Sequence, residues 1–206
     1  MLTIWGRNNS NNVKKVLWCA EEIGLAYESI PAGGSFGLTA DSAYRAMNPN
    51  GLVPTIRDGD FVLWESNAIV RYLAGRYAPG VLSPEDPQAR ASADRWMDFT
   101  TSSVAAPFRD LFWGMVRTAP DKRDLAAIEA GRAKFATLLA IADRTLAEQP
   151  FLSGDSFGMG DIPLGCFTYA WFEMPIERPD LPHLATWYER LKQRPAYQKT
   201  VMIGLS

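Results

Sequence analysis

The pattern of apolar residues changes near position 80, and this change limits the folds open to the chain. Before that point, short apolar stretches of strand length alternate with amphipathic stretches of helical length, whereas every patterned segment after Gln88 has helical spacing. The stretch between them, AGRYAPGVLSPEDPQAR, contains three prolines and two glycines, which is typical of a connecting segment. The sequence therefore predicts an α/β domain over residues 1–80 and an all-helical domain over residues 86–206, with the boundary between Pro79 and Pro87.

The α/β part predicts a strand, a helix and a second strand, followed by a hairpin and a helix that packs back on the sheet. The predicted strands are Met1–Trp5, Tyr27–Ile30, Thr55–Arg57 and Phe61–Trp64, with Asp58 and Gly59 in the turn between the last two. The predicted helices in this part are Val13–Ile23, a single turn at Ser42–Met47, and Asn67–Tyr77. The predicted helices of the second part are Arg90–Val116, Lys122–Gln149, Gly160–Phe172, Leu184–Lys192 and a short one near Tyr197.

Composition excludes several classes of function. Twenty-one basic residues against 23 acidic ones, with no basic block, leave no electrostatic footprint for nucleic acid or an anionic membrane. One histidine and two distant cysteines make a protein-only metal site improbable, and Cys19 and Cys166 are expected in the core. Since no signal peptide or apolar run of about 18 residues occurs, we expect a cytosolic protein without a membrane span.

Between the first strand and the first helix lies the polar stretch GRNNSNNVKK. Its glycine, serine and asparagines are unusual at this point unless the start of the helix is used to hold a ligand. If the helix begins at Val13, then Asn11 or Asn12 is its N-cap, and Ser10 lies just outside it. The free backbone N–H groups and the positive end of such a helix attract anions.

Four further stretches carry a resemblance to a family. They are NPNGLVP at Asn48–Pro54, ESNAIVRYL at Glu65–Leu73, FLSGDSFGMGDIPLG at Phe151–Gly165 and WYERLKQRPAYQK at Trp187–Lys199. In this order and with these separations, the chain resembles the cytosolic glutathione S-transferases. The resemblance implies a thioredoxin-like N-terminal domain, a helical C-terminal domain, glutathione as co-substrate, no metal, and a homodimer.

The resemblance also implies how glutathione is held. Val53 pairs through its backbone with the cysteinyl part of the tripeptide, and the peptide bond to Pro54 is cis, although the dipeptide alone favours trans. Glu65 and Ser66 lie where a strand ends and a helix begins, a place suited to an anion. The family makes this anion the γ-glutamyl carboxylate, with Glu65 accepting from the ammonium group. Without the other motifs, both residues would be read as helix starters.

The opening stretch resembles the serine-type members, in which the catalytic serine stands just ahead of the first helix. Ser10 then donates to the glutathione thiolate rather than acting as a nucleophile. Some bacterial members pair a serine or threonine with an asparagine two residues on, as Ser10 and Asn12 do, and often favour disulfide reduction. For Asn12, simple N-capping remains an equal alternative. Near Gly158 the family's capping box is incomplete, and only Asp161 remains to accept from the backbone.

The second substrate is less constrained by the sequence. Phe108, Phe112 and Trp113 could line an apolar cleft between the domains, although aromatic residues at helical spacing more often belong to a core. The predicted function is thiolate attack on a small apolar electrophile or glutathione-dependent disulfide reduction. The alternative is a non-catalytic transferase-like protein that binds glutathione or apolar ligands.

Overall fold

A computed structural model describes all residues, 1–206, and contains one sheet of four strands. The strand order is β2-β1-β3-β4, in which β1 pairs parallel to β2 and antiparallel to β3, and β3 pairs antiparallel to β4. The strands are β1 (Leu2–Trp5), β2 (Tyr27–Ile30), β3 (Thr55–Asp58) and β4 (Phe61–Trp64). This mixed sheet, with helices α1 (Asn11–Ile23), α2 (Ser42–Met47) and α3 (Ser66–Tyr77), is the predicted thioredoxin-like arrangement.

The hairpin between β3 and β4 differs slightly from the prediction. Asp58 still pairs with Phe61 across the hairpin, so the two turn residues are Gly59 and Asp60 rather than Asp58 and Gly59. Gly59 has a φ of +60°, a conformation that glycine adopts without steric cost. The carboxylate of Asp58 is engaged in the fold instead, because the hydroxyl groups of Tyr72 and Tyr77 on α3 both donate to it.

The regular elements after the connecting segment are all helices, as predicted. The helices are α4 (Pro87–Phe99), α5 (Ala105–Phe112), α6 (Leu125–Glu148), α7 (Asp161–Glu173), α8 (Pro182–Lys192) and α9 (Pro195–Thr200). Helix α4 starts earlier than predicted because Asp86 caps it, accepting from the backbone N–H of Ala89 at 2.8 Å, with Pro87 at the first helical position.

The predicted helix Arg90–Val116 is not uniform. It is widened into π-helical turns at Thr100–Val104 and Trp113–Arg117, on either side of α5. In the first of these turns, the N–H of Ala105 donates to the carbonyl of Thr100, five residues back. Pro107 follows shortly afterwards and has no N–H to offer the preceding turn. Such widenings inside helices frequently occur at functional sites.

The hydrophobic core is continuous across the predicted domain boundary. Helix α1 packs against α3 of the first part and against α7 and α9 of the second. The ring of Trp18 lies 5.3 Å from that of Phe157 and 4.6 Å from that of Tyr197. Arg194 also donates twice to the Glu22 carboxylate, at 2.6 and 2.7 Å. The division at residues 80–86 therefore stays a prediction.

The half-complete capping box before α7 is compensated by a nearby serine. Asp161 is buried, and its carboxylate accepts from the N–H of Gly158 at 3.1 Å, as predicted. It also accepts from the N–H groups of Leu152 and Ser153 and from the Trp187 indole. The Ser153 hydroxyl accepts from Gly160, and a Cβ at position 158 would lie only 2.9 Å from that hydroxyl. Ser153 thus occupies the space that a capping side chain at 158 would need.

Candidate functional site

Helix α1 starts two residues earlier than predicted, and this changes the role of the opening stretch. Ser10, and not Asn11 or Asn12, is the N-cap residue, with an extended backbone (φ −86°, ψ 123°). Its side chain makes no capping hydrogen bond, while its carbonyl accepts from the N–H of Lys14 at 2.9 Å. The Ser10 hydroxyl is therefore available to a ligand at the positive end of α1.

Asn12 is the second residue of α1, so the capping alternative for it is wrong. Its Oδ1 accepts from Lys15 Nζ at 3.0 Å and from the Ser66 hydroxyl at 3.4 Å. With both hydrogen bonds made by the carbonyl oxygen, the amide nitrogen of this exposed side chain remains free to donate to a ligand.

A second loop, between α2 and β3, contributes the Val53–Pro54 bond, which is cis in the structure. Hydrogen bonds from buried polar side chains hold this loop in place. The Tyr44 hydroxyl donates to the carbonyl of Leu52 at 2.7 Å, and the Asn48 amide donates to the same carbonyl at 2.9 Å and to the Thr55 hydroxyl at 3.0 Å. The backbone on either side of Val53 is thereby held rigidly beside the sheet.

Glu65 and Ser66 form the junction between β4 and α3. Glu65 is the N-cap residue, with φ +74° and ψ 113°, a conformation that side-chain-bearing residues rarely adopt. Ser66 is therefore the first helical residue, one position before the predicted start at Asn67. Its buried hydroxyl bonds to Asn12 and Lys15, and the first N–H groups of α3 have no intrahelical acceptor.

These residues line two adjoining cavities. The smaller, about 50 Å³, is bordered by the Val53–Pro54 bond, Glu65 and Ser66. The larger, about 310 Å³, runs from Ser10 to α5 and the π-helical turn after it. Asn12 is the one residue that lines both.

The larger cavity contains all three aromatic residues predicted for the second substrate. Phe108 and Phe112 stack with their ring centres 5.3 Å apart, and Trp113 is about half exposed. Phe167, which the sequence did not single out, completes this wall and meets Phe108 edge-on at 4.5 Å. A separate groove between α4 and α6 is lined by Phe99.

Three arginines also line the larger cavity, and sequence reasoning missed them. Arg109 lies 3.4 Å from its neighbour Asp110, and Arg117 donates to the Ser206 carbonyl at 3.1 Å. Arg7 donates to the side chain of Asn9. Burial lowers the pKa of Arg117, and the charge of Arg7 lowers it further. No acidic side chain lines the cavity, and since Arg109 is paired with Asp110, Arg7 and Arg117 supply its uncompensated positive charge.

Two buried lysines on α1 were missed as well. Lys14 and Lys15 are each exposed by 3% or less, and burial lowers the pKa of both to about 8. Lysine pairs usually indicate a solvated face, so nothing local in the sequence marks them as buried.

Cys19 and Cys166 are buried free thiols, as expected for core residues. Burial raises the pKa of both, that of Cys166 to about 12. No cluster of three or more histidine, cysteine, aspartate or glutamate side chains has the geometry to hold a metal ion. None of the helices combines the length and apolar character needed to cross a membrane.

Comparison with known proteins places this geometry in a family. Residues 5–84 match the N-terminal domain family of glutathione S-transferases, and residues 126–190 match the corresponding C-terminal domain family. Glutathione S-transferase GstB of Escherichia coli is 48% identical over the full length of both chains. Glutathione S-transferase 3 of Zea mays is 33% identical, over 97% of this chain and 93% of its own length.

Solved structures agree. The theta-class glutathione S-transferase of Xanthomonas axonopodis pv. citri with glutathione bound superposes with a TM-score of 0.97 at 63% identity, covering 100% of this chain and 99% of its own. The fold class predicted from the sequence is confirmed. With both domain families matched and full-length relatives of this similarity, the chain belongs to the glutathione S-transferase family.

Proposed function

We propose that glutathione lies across the smaller cavity, which receives part of the tripeptide, and that the cysteinyl sulfur lies at the start of α1. In this proposal the backbone of Val53, next to Pro54, pairs with the cysteinyl part of the tripeptide. The N–H groups at the start of α3, with Ser66, receive the γ-glutamyl carboxylate, and Glu65 accepts from the ammonium group. The observation that carries the proposal is the position of Asn12, which borders both cavities and so marks where a ligand passes from one to the other.

The chemistry follows from the groups at that point. A free thiol with a pKa of about 8.5 is only a few per cent ionised near neutrality. The Ser10 hydroxyl, the Asn12 amide and the positive end of α1 all favour the thiolate, and one hydrogen bond to a charged group is worth about 1.5–3 kcal/mol. This corresponds to a thiol pKa lowered by about one to two units. The thiolate then attacks an electrophilic carbon and expels its leaving group, or attacks a disulfide sulfur and releases the other sulfur as a thiolate.

The larger cavity receives the second substrate in this proposal. Its aromatic wall of Phe108, Phe112 and Trp113 suits a small apolar electrophile, as the sequence predicted. Arg7, Arg109 and Arg117 favour a substrate that also carries an anionic group. The disulfide of glutathione has such carboxylates, and so does an aryl or alkyl electrophile bearing a carboxylate.

A panel of substrates distinguishes the proposed enzyme from the alternative, a protein that binds glutathione without turnover. Titration with glutathione would be combined with turnover of aryl halides, epoxides and small disulfides, with and without a carboxylate. We expect turnover, and we expect Ser10→Ala to lower it by about tenfold or more while glutathione affinity changes little. Tight glutathione binding with no turnover of any class would support the non-catalytic reading.

We further propose a twofold homodimer, since exposed apolar side chains such as Phe61 and Leu52 border the α/β part. Sedimentation at micromolar concentration should show a species of twice 22.9 kDa, and a single species of 22.9 kDa would contradict this. The cytosolic location stays a prediction.

A further inference from the structure

Lys15 is a buried residue of α1 that is hydrogen-bonded to Asn12 at the proposed thiolate site. It lies in the second turn of α1 and is 2% exposed. It forms no ion pair, and the charges of Cys166 and Glu65 raise its pKa by less than burial lowers it. A cation near the positive end of a helix is disfavoured by the helix dipole, and its burial adds a desolvation penalty. An apolar side chain at this position would give a more stable fold, so stability does not explain the ammonium group.

The contacts of Lys15 all point toward the two cavities. Its Nζ donates to Asn12 Oδ1 at 3.0 Å and to the Ser66 hydroxyl at 3.4 Å, and lies 5.2 Å from the centre of the Phe167 ring. Asn12 and Ser66 border the smaller cavity, and Phe167 borders the larger. Lys15 lines neither cavity itself, but it contacts residues that line each of them.

This contact decides how the Asn12 amide is oriented. An ammonium group has three donors and no acceptor, so it can bond only to the oxygen of the amide. The flipped amide would place its NH₂ group against Lys15 Nζ, with two donors facing each other. The Ser66 hydroxyl reinforces the same orientation by donating to Oδ1. The amide N–H groups are consequently left for a ligand.

We propose that Lys15 is a positioning residue for the glutathione thiolate, holding the Asn12 amide with its N–H groups toward the sulfur. This inference rests on the proposed function. In this scheme Lys15 does not touch the substrate and acts through Asn12. Its ammonium group also donates to Ser66, which lies at the proposed site of the γ-glutamyl carboxylate.

Lys14 provides a matched control on the same helix. It is buried to the same degree, and burial lowers its pKa to the same value of about 8. Its Nζ donates to the carbonyl of Val201 at 3.0 Å and lies 5.0 Å from the centre of the Tyr169 ring. Since it contacts neither Asn12 nor Ser66, replacing it removes a buried charge without freeing the amide.

The test compares Lys15→Met, Lys14→Met, Asn12→Ala and the double variant Lys15→Met/Asn12→Ala. The pKa of glutathione bound to each folded protein would be read from the ultraviolet absorbance of the thiolate. We expect Lys15→Met to raise that pKa by about one unit and Lys14→Met to leave it within about 0.3 units. In the Asn12→Ala background, Lys15→Met should add less than about 0.3 units, because the residue it acts through is gone.

Three outcomes would overturn the inference. The first is a thiol pKa unchanged by Lys15→Met. The second is an equal rise with Lys14→Met, which would assign the effect to general charge or packing. The third is an equal rise from Lys15→Met with and without Asn12, which would mean that the ammonium acts directly on the sulfur.

A bound thiol that titrates like free glutathione in the unaltered protein would instead contradict the proposed function, and this inference with it. Circular dichroism would establish folding in each case. Should Lys15→Met fail to fold, Lys15→Gln would be used. The same rise in the thiol pKa is expected, because a glutamine amide both donates and accepts and so no longer fixes the orientation of the Asn12 amide.

Discussion

Replacing Lys14 by methionine should stabilise the protein at neutral pH, although the change removes a charge and a hydrogen bond. Lys14 has no carboxylate partner, and its only hydrogen bond is to the backbone carbonyl of Val201. Burial lowers its pKa from 10.5 to about 8, and the opposing effect of Cys166, which raises the pKa, is smaller. The folded protein therefore holds the ammonium form less favourably than the unfolded chain does.

The magnitude and its sign follow from these two values. The folded pKa lies about 2.5 units below the unfolded one, which corresponds to about 3 kcal/mol. Below pH 8, where Lys14 is charged in both states, this whole amount is subtracted from the folding stability. Leaving the Val201 carbonyl without a partner costs about 1 kcal/mol, so Lys14→Met should gain about 2 kcal/mol at pH 7. Between pH 8 and 10.5 the unfolded chain binds more protons than the folded protein. The free energy of unfolding of the unaltered protein therefore rises, relative to that of the variant, by about 1.4 kcal/mol per pH unit in this range. The two proteins should be equally stable near about pH 9.5.

Urea unfolding of both proteins at pH 7, 8, 9 and 9.5 measures this difference directly. Other titrating groups affect both proteins almost equally and cancel in the comparison. The exposed Lys134 provides a control, because Lys134→Met should change the unfolding free energy by less than about 0.5 kcal/mol at every pH. A Lys14→Met protein less stable than the unaltered one at pH 7, or a difference that does not shrink above pH 8, would refute the reasoning.

Three further changes test other parts of the structure. Ser66→Ala should weaken glutathione binding by about 1–3 kcal/mol in a calorimetric titration, because a buried polar partner is lost, and unchanged affinity would reduce Ser66 to a helix-starting residue. Asp161→Ala should destabilise the fold by about 3 kcal/mol or more, lowering the melting temperature by roughly 6–12 °C, because four donors lose their acceptor; a drop below about 1 kcal/mol would show that water replaces the carboxylate. Arg117→Met should raise the KM of a carboxylate-bearing second substrate by about fivefold and leave that of an uncharged one unchanged, and equal effects on both would argue against an anionic subsite.

Local patterns were sufficient for the strands and helices of this chain, whereas the thioredoxin-like arrangement was predicted from the family resemblance. Strands, helices and their order could be predicted because apolar spacing and turn residues are local signals. The errors concern ends and interruptions. Helix α1 begins at Asn11 and not at Val13, since the polar residues of its first turn resemble a loop in sequence. The widened turns beside Pro107 depend on how the helix packs, which spacing does not reveal.

The candidate site was predictable only where a motif marks it. Ser10, Asn12, Val53, Pro54, Glu65 and Ser66 were found by resemblance, and the structure brings them together around the two cavities. Their roles remain proposals. Arg7 and Arg117 could not be paired from the sequence, because 110 positions separate them and only the fold brings them to one cavity. Lys14 and Lys15 read as solvated, since their burial is created by α7 and α9, from the other end of the chain.

The central claim is that the start of α1 stabilises the thiolate of bound glutathione, and the pKa of that thiol tests it most directly. Thiolate absorbance would be followed against pH for the complex with the unaltered protein and with Ser10→Ala. We predict a pKa about one to two units below that of free glutathione in the first complex, and a return toward the free value in the second. A thiol that titrates as in free solution, or a lowered pKa that survives Ser10→Ala and Asn12→Ala alike, would contradict the account.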